Sequence, residues 1–248
     1  MRDPADETPL TIAALAARAR ELMPEFCAAI ADWRRGTDPG GIGPRGMFFF
    51  YLAARPFAPR QILESGRMRG GSTLMLARCF PDARIVSVEL DRDRAHAAVA
   101  ESRLKSYANV DLRFGDSREI LPKQLQSGDA VLVDGPKGFR ALKLAAQLLH
   151  TGKPCVVLIH DFYPREPARK FVERCWRGAF FSDDPAFTPY FRELNARIGR
   201  DPDSKHSVSP FVCLPAELPA PYWQLLSKII WARAAAIVIE KTGRLLRS

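Results

Sequence analysis

The 248-residue sequence predicts a doubly wound α/β fold. Two observations carry that expectation. From about residue 60 to residue 180, short β-branched runs alternate with helical stretches, the pattern of βαβ units and a mostly parallel sheet covered on both faces. Acids or a histidine close the apolar runs, at Glu64, Glu89, Asp116, Asp134, His160 and Asp161. In such sheets ligands sit beyond the carboxyl ends of the strands.

Taken in order, residues 9–35 read as a helix. Thr8 is placed to cap it, Pro9 suits its first turn, and Leu10, Ala13, Ala14, Ala17 and Leu22 fall on one face. GTDPGGIGPRG (36–46) is a loop by its glycine and proline content. MFFFYL (47–52) is either core or a docking surface for the next domain. The alternating region then gives strand QILES (61–65) and a helix from about Ser72 to Cys79. Strand ARIVSVEL (83–90) comes next, then helix 92–105, strand VDLRFGD (110–116) and a short helix at 117–126. Strand DAVLVDG (129–135), helix 138–150, strand CVVLIHD (155–161) and helix 165–177 complete it. GAFFSD (178–183) and HSVSPFVCLP (206–215) are two further strand candidates around a polar segment, and YWQLLSKIIWARAAAIVIEKTGRLLRS is a closing helix. This divides the chain into an N-terminal helical extension and loop (1–59), a ligand-binding α/β domain (60–215) and a C-terminal helix (216–248).

Composition narrows the function classes. Apolar residues make up 47% and charged residues 26%, which describes a globular protein with a substantial core. The 37 Lys and Arg outnumber the 28 Asp and Glu, for a formal net charge of +9. Such a surplus suits acidic partners: nucleic acid, anionic lipid, or an acidic small molecule or glycan. The basic residues are scattered, however, and no basic run is interleaved with aromatics, so solvated surface charge is the first reading. Five separated cysteines without a C-x-x-C pair argue for reduced thiols and against a disulfide framework or zinc site. Early acids at Asp3, Asp6 and Glu7 speak against a signal peptide, and no segment reaches the ~18 uncharged apolar residues of a membrane span. A cytoplasmic location is expected.

The stretch ILESGRMRGGSTLM (62–75) sharpens the question of ligand. Gly66 to Thr73 nearly spells a phosphate-binding P-loop, but Ser72 stands where the lysine belongs. Met68 likewise breaks a G-x-G-x-x-G fingerprint, and Glu64 would repel polyphosphate. Gly66, Gly70 and Gly71 still let the backbone turn tightly and approach a ligand. A carboxylate at the end of the first strand suits an ammonium or sulfonium, directly or through water. Glu89 ends the second strand, where an acid accepts from ribose hydroxyls. Asp116 ends the third, where it can accept from an adenine amino group. Each acid alone reads better as a helix cap or surface-loop residue. Three on successive strand ends, beside glycines, describe an adenosine site without phosphate.

ILESGRMRGGST, IVSVELD, FGDS, VLVDGPKG and VVLIHDFY, in that order, resemble the motifs of class I S-adenosylmethionine-dependent methyltransferases, in particular the small-molecule O-methyltransferase-like branch. The resemblance covers roughly residues 60–180. It implies a Rossmann-like, seven-stranded sheet ending in an antiparallel hairpin, which the late strand candidates suit. It also implies that Glu64 and Gly66 lie near the methionine part of the cofactor, that Gly70, Gly71 and Ser72 belong to the cofactor site, that Glu89 binds the ribose, and that Asp116 and Ser117 border the adenine.

Methyl transfer to oxygen is an in-line displacement that needs alignment and an activated nucleophile. Asp134, Lys137, His160 and Asp161 are the catalytic candidates, with Asp134 also beside the cofactor. His160 is the candidate base, imidazole being the side chain that exchanges protons near neutral pH. Asp134 and Asp161 either orient it or offer hard oxygen ligands to a divalent cation such as Mg²⁺. Metal-dependent relatives of this type include some that read D-G-x-H, and Lys137 replaces that histidine here. Lys137 can instead hold an anionic substrate group, as can Arg67, Arg69 and Arg140. Phe187, Tyr190 and Phe191 are candidates for a lid over the acceptor, or for packing on the sheet.

The expected acceptor is a small molecule or glycan, with an anionic one favoured by the charges at the mouth. A nucleic-acid methyltransferase is the rival on charge, but the sequence has no N-P-P-[YF] motif and no separate basic module. A non-catalytic cofactor-binding protein is the rival from another class. Apolar residues on most faces of the last helix predict burial against the domain or in a homodimer, with peripheral membrane contact as the alternative.

Overall fold

The computed structural model describes residues 10–31, 41–91, 94–203 and 209–245. Its centre is a seven-stranded sheet of order β3-β2-β1-β4-β5-β7-β6. The strands are β1 (Gln61–Ser65), β2 (Arg84–Glu89), β3 (Val110–Phe114), β4 (Ala130–Val133), β5 (Val156–Ile159), β6 (Phe180–Phe181) and β7 (Val212–Leu214). The first five run parallel, and β7 lies antiparallel between β5 and β6. This is the doubly wound, mostly parallel arrangement expected. The strand order reverses between β1 and β4, so the two strands diverge into crossovers on opposite sides and leave a crevice at their carboxyl ends.

Side-chain alternation sorts the core into two layers. Ile62, Ile85, Ala130, Leu132, Val156 and Leu158 face a layer built from α1 (Ile12–Ala29), α2 (Pro44–Ala54) and α3 (Gly71–Cys79). Leu63, Val86, Val131, Val133, Val157 and Ile159 face the other way. There they meet α5 (Ser117–Gln124), α6 (Phe139–Leu149), α7 (Pro167–Cys175) and α9 (Tyr222–Leu245). α4 (Arg94–Leu104) follows β2 and contacts α3; its expected start at 92 lies outside the described residues.

The MFFFYL run is core. It lies in α2, where Phe48, Phe49, Phe50 and Leu52 are fully buried. Phe49 meets the rings of Phe180 and Phe187 edge-on, at 6.0 and 5.3 Å. Those rings tie the N-terminal helices to the far edge of the sheet. Thr8 and Pro9 lie outside the described residues; the cap of α1 is Thr11, whose Oγ1 accepts from the Ala14 amide at 3.1 Å.

The structure decides three points that the sequence leaves open. The polar segment after β6 contains a helix, α8 (Thr188–Arg197), that packs on α1 and α2. Phe187 and Phe191 are buried against that layer, so they are packing residues and form no lid. The last helix is not buried on all faces. α9 seats Leu225 and Ile229 against the body but leaves Trp223, Ile230, Trp231 and Val238 open to solvent. Among the described residues no helix is long and apolar enough to cross a membrane.

Candidate active site

The site is built where β1, β2, β4 and β5 end. The turn after β1 passes close to the turn after β4: a Cβ on Gly66 would stand 2.9 Å from the Gly135 nitrogen. Gly66 also has φ +84°, so glycine is needed twice over. The amides of Asp134 and Gly135 both donate to the Ser65 carbonyl, at 2.7 and 3.0 Å, and lock the two turns together. Gly70 has φ +76° and opens α3, with Gly71 its first residue.

Glu64 points away from the crevice. Strand alternation puts it on the Ile62 side of the sheet, beneath α3, where it is fully buried. Ser72 donates to its Oε1, and Thr73 and Ser87 donate to its Oε2, each at 2.5 Å. Burial pushes its carboxyl up, and the three hydroxyls act in the opposite sense without cancelling that. This cage explains the Ser72-Thr73 pair: the hydroxyls brace the loop on a buried acid. The sequence pattern puts Glu64 and Ser72 beside the ligand; in the structure both are buried and hydrogen-bonded to each other.

Glu89 is held from both sides. The Arg67 and Met68 amides donate to Oε2, at 3.0 and 2.8 Å, and the Leu90 and Asp91 amides donate to Oε1, at 2.8 and 3.3 Å. It therefore joins the glycine loop to the end of β2. Arg67 does not stand at an open mouth, as its charge suggests. It is buried, donating from Nη1 to the carbonyls of Ser87 and Arg113 at 2.9 and 2.7 Å, with its guanidinium 4.5 Å over the Phe114 ring. Asp116 caps α5 through the Arg118 amide at 2.9 Å. The Arg118 side chain beside it holds its carboxyl below the usual range. Ser117, buried, follows it.

The four catalytic candidates meet. His160 Nδ1 lies 2.5 Å from Asp134 Oδ1 and 3.5 Å from Asp161 Oδ1. Lys137 Nζ lies 2.5 Å from Asp134 Oδ1 and 2.5 Å from Asp161 Oδ2. Burial acts most strongly on Asp134 and pushes its carboxyl up, but His160 and Lys137 outweigh it and hold the group below the ordinary value. Asp161 follows the same pattern, with Lys137 as its chief stabiliser. For Lys137, burial pulls the ammonium down, and the two carboxylates more than reverse it, leaving its pKa raised. The cluster is thus two carboxylates around one ammonium, with a buried imidazole behind.

Asp161 has φ +62°, a left-handed turn that aspartate tolerates better than most residues. The turn is fixed from outside: Arg169 donates to the Phe162 carbonyl at 3.0 Å while paired with Asp183 at 2.7 Å. Tyr163 and Ser209 share a hydrogen bond beside Asp161, and the Ser209 hydroxyl helps hold that carboxylate ionised. Sequence reasoning misses both. Tyr163 lies in view two residues past Asp161, whereas Ser209 is far along the chain and carries no local signal.

Comparison with known proteins agrees with this geometry. Residues 63–162 match the family model described as a methyltransferase domain. Over 104 residues it is 31% identical to a catechol O-methyltransferase of Niastella koreensis, covering 39% of this chain and 46% of that protein. Over 135 residues it is 36% identical to a transmembrane O-methyltransferase homolog of Mus musculus, covering 48% of this chain and 51% of that protein. The chain spans about half the length of the curated relatives it matches. A solved structure of an S-adenosylmethionine-dependent O-methyltransferase from Thermotoga maritima shares this fold. Its TM-score is 0.51 at 15% identity, covering 77% of this chain and 71% of that one.

Proposed function

We propose that this chain transfers a methyl group from S-adenosylmethionine to an oxygen of a small-molecule acceptor. The observation that carries the reading is the meeting of Asp134, Lys137, His160 and Asp161 beside the glycine turn, at the sheet's reversal point. The cofactor lies along Gly66, Gly70 and Gly71, with Glu89 as the proposed ribose acceptor and Asp116 and Ser117 at the adenine. Glu64 and Ser72 serve as the loop's support.

In the reaction an acceptor oxygen attacks the methyl carbon as the carbon–sulfur bond breaks, and the sulfonium becomes a neutral thioether. The acceptor's hydroxyl proton must leave. Asp134 orients His160 to take it, in the manner of a carboxylate-held imidazole base. Lys137, half exposed, offers its ammonium to the oxygen as negative charge develops there. The same ammonium suits an anionic acceptor, a small acid or an acidic glycan.

The donor set also fits a divalent cation. One oxygen or nitrogen each from Asp134, His160 and Asp161 lie within 4.8 Å of one another. Asp134 and Asp161 would hold the ion, and it would supply Lewis acidity to the acceptor oxygen. Lys137 stands between those carboxylates, which favours the ammonium as the charge used here. The scattered cysteines support a cytoplasmic location.

The test is incubation of the protein and methyl-labelled cofactor with a small-molecule extract, read by mass spectrometry. An O-methylated product that disappears with His160→Ala supports the proposal. Label appearing only in nucleic acid, or on nitrogen, would replace it.

A further inference from the structure

The last helix presents an exposed apolar face to which the proposed mechanism assigns no role. Its inner side, Leu225 and Ile229, is buried against the body, where it contacts α6 and α7. Its outer side is apolar. Trp223 and Trp231 are each 73% exposed, and Ile230 and Val238 lie on the same face, since residues seven or eight apart in a helix point alike. A groove runs along each flank of the helix. One, of about 640 Å³, lies between it and α5 and α6; the other, of about 420 Å³, lies between it and α7.

The charges around this face are nearly all of one sign. Arg140, Lys143 and Arg233 edge the first groove, and Lys170 and Arg174 edge the second. Asp116 and Glu119 also line the first groove, and Asp116 is paired with Arg118. From Pro221 to Ile239 the chain holds no acid. An apolar strip with two indoles, edged by cations, suits the boundary between anionic headgroups and acyl chains: indoles and aliphatics enter it, and the cations reach the phosphates. A second copy suits it less, because a two-fold contact would set the same cations against one another.

We propose that α9 seats the protein on an anionic membrane surface, lying in the interface plane. The proposal does not depend on the identity of the methyl acceptor, and its test needs no turnover. The full chain is mixed with vesicles of phosphatidylcholine alone, or of phosphatidylcholine with phosphatidylglycerol, and sedimented at low and high salt. The expected result is pelleting with the anionic vesicles only, a blue shift of tryptophan emission, and release as salt screens the attraction. Trp223→Ser with Trp231→Ser abolishes pelleting. Lys228→Glu with Arg233→Glu lowers vesicle affinity by about tenfold or more. All four positions are exposed, so melting temperatures stay close to wild type. Equal pelleting with neutral vesicles, no pelleting with anionic ones, or variants that pellet like wild type overturn the proposal. So does a dimer in sedimentation velocity that the Trp223→Ser, Trp231→Ser variant dissolves while vesicles leave the wild type in solution.

Discussion

His160 and Asp134 share a hydrogen bond of 2.5 Å, Nδ1 to Oδ1, that joins the ends of two neighbouring parallel strands. In the proposed mechanism the Asp134 carboxylate accepts from Nδ1, and the other imidazole nitrogen takes the acceptor's proton. His160→Ala is expected to cut turnover by about 10²–10⁴-fold, the usual contribution of a positioned base. Cofactor affinity should stay near wild type, because Glu89, Asp116 and the glycine turn are not held by the imidazole. Turnover that survives the substitution would remove the imidazole from the reaction.

Lys137 supplies the positive charge between Asp134 and Asp161, so turnover should persist after exhaustive chelation. Lys137→Met leaves two carboxylates without that charge. The variant should lose turnover and gain affinity for Mg²⁺, measurable by titration. Activity lost on chelation and restored by Mg²⁺ in the wild type would assign the chemistry to a metal.

Glu89 answers four main-chain amides at once, two of them in the glycine loop. Removing it leaves those donors unpaired and the loop untied. Glu89→Ala is expected to lower stability by about 1–3 kcal/mol and to weaken cofactor binding by more than tenfold. Wild-type affinity in a titration of that variant would show that the ribose lies elsewhere.

Glu64 gives a pH signature. Burial raises its folded-state pKa, so folding favours the protonated form. The folded state then loses stability as pH rises from the unfolded value of about 4 through the folded one, and the whole cost is present above that. Glu64→Gln removes the titration while keeping the shape. Its melting temperature relative to wild type should therefore climb as pH goes from about 4 to about 8. A difference that stays flat across that range would mean Glu64 is not buried as described.

Gly66→Ala tests the contact between the turns after β1 and β4. The added Cβ meets backbone at 2.9 Å, and φ +84° strains any residue with a side chain. A cost of about 1–3 kcal/mol is expected, with cofactor affinity lost beyond it. Thermal melts and titration read the two effects separately.

The sheet is legible in the sequence because parallel strands buried on both faces keep long apolar runs, and because strand ends in such a sheet gather on one side. That is why Asp134, His160 and Asp161, far apart along the chain, can be named together. What the strand ends cannot tell is direction. Glu64 and Ser65 are neighbours, and only the sheet's alternation shows that Glu64 turns under α3 while Ser65 turns to the β4 loop. Arg67 looks like surface charge because nothing local announces that two strand-end carbonyls and the Phe114 ring await it. α8 escapes notice because Thr188–Arg197 is mostly polar and hides only Phe191, Leu194 and Asn195. α9 reads as buried because its apolar residues surround the axis; only the neighbouring helices decide which of them are covered.

In the proposed reading the glycine turn, Glu89 and the strand-end acids form an S-adenosylmethionine site. Isothermal titration of the purified chain with S-adenosylmethionine, and separately with ATP, tests it most directly. Saturable one-to-one binding of S-adenosylmethionine is expected, weakened more than tenfold by Glu89→Ala, with no comparable heat from ATP. No saturable heat with S-adenosylmethionine, or a preference for ATP, would contradict it.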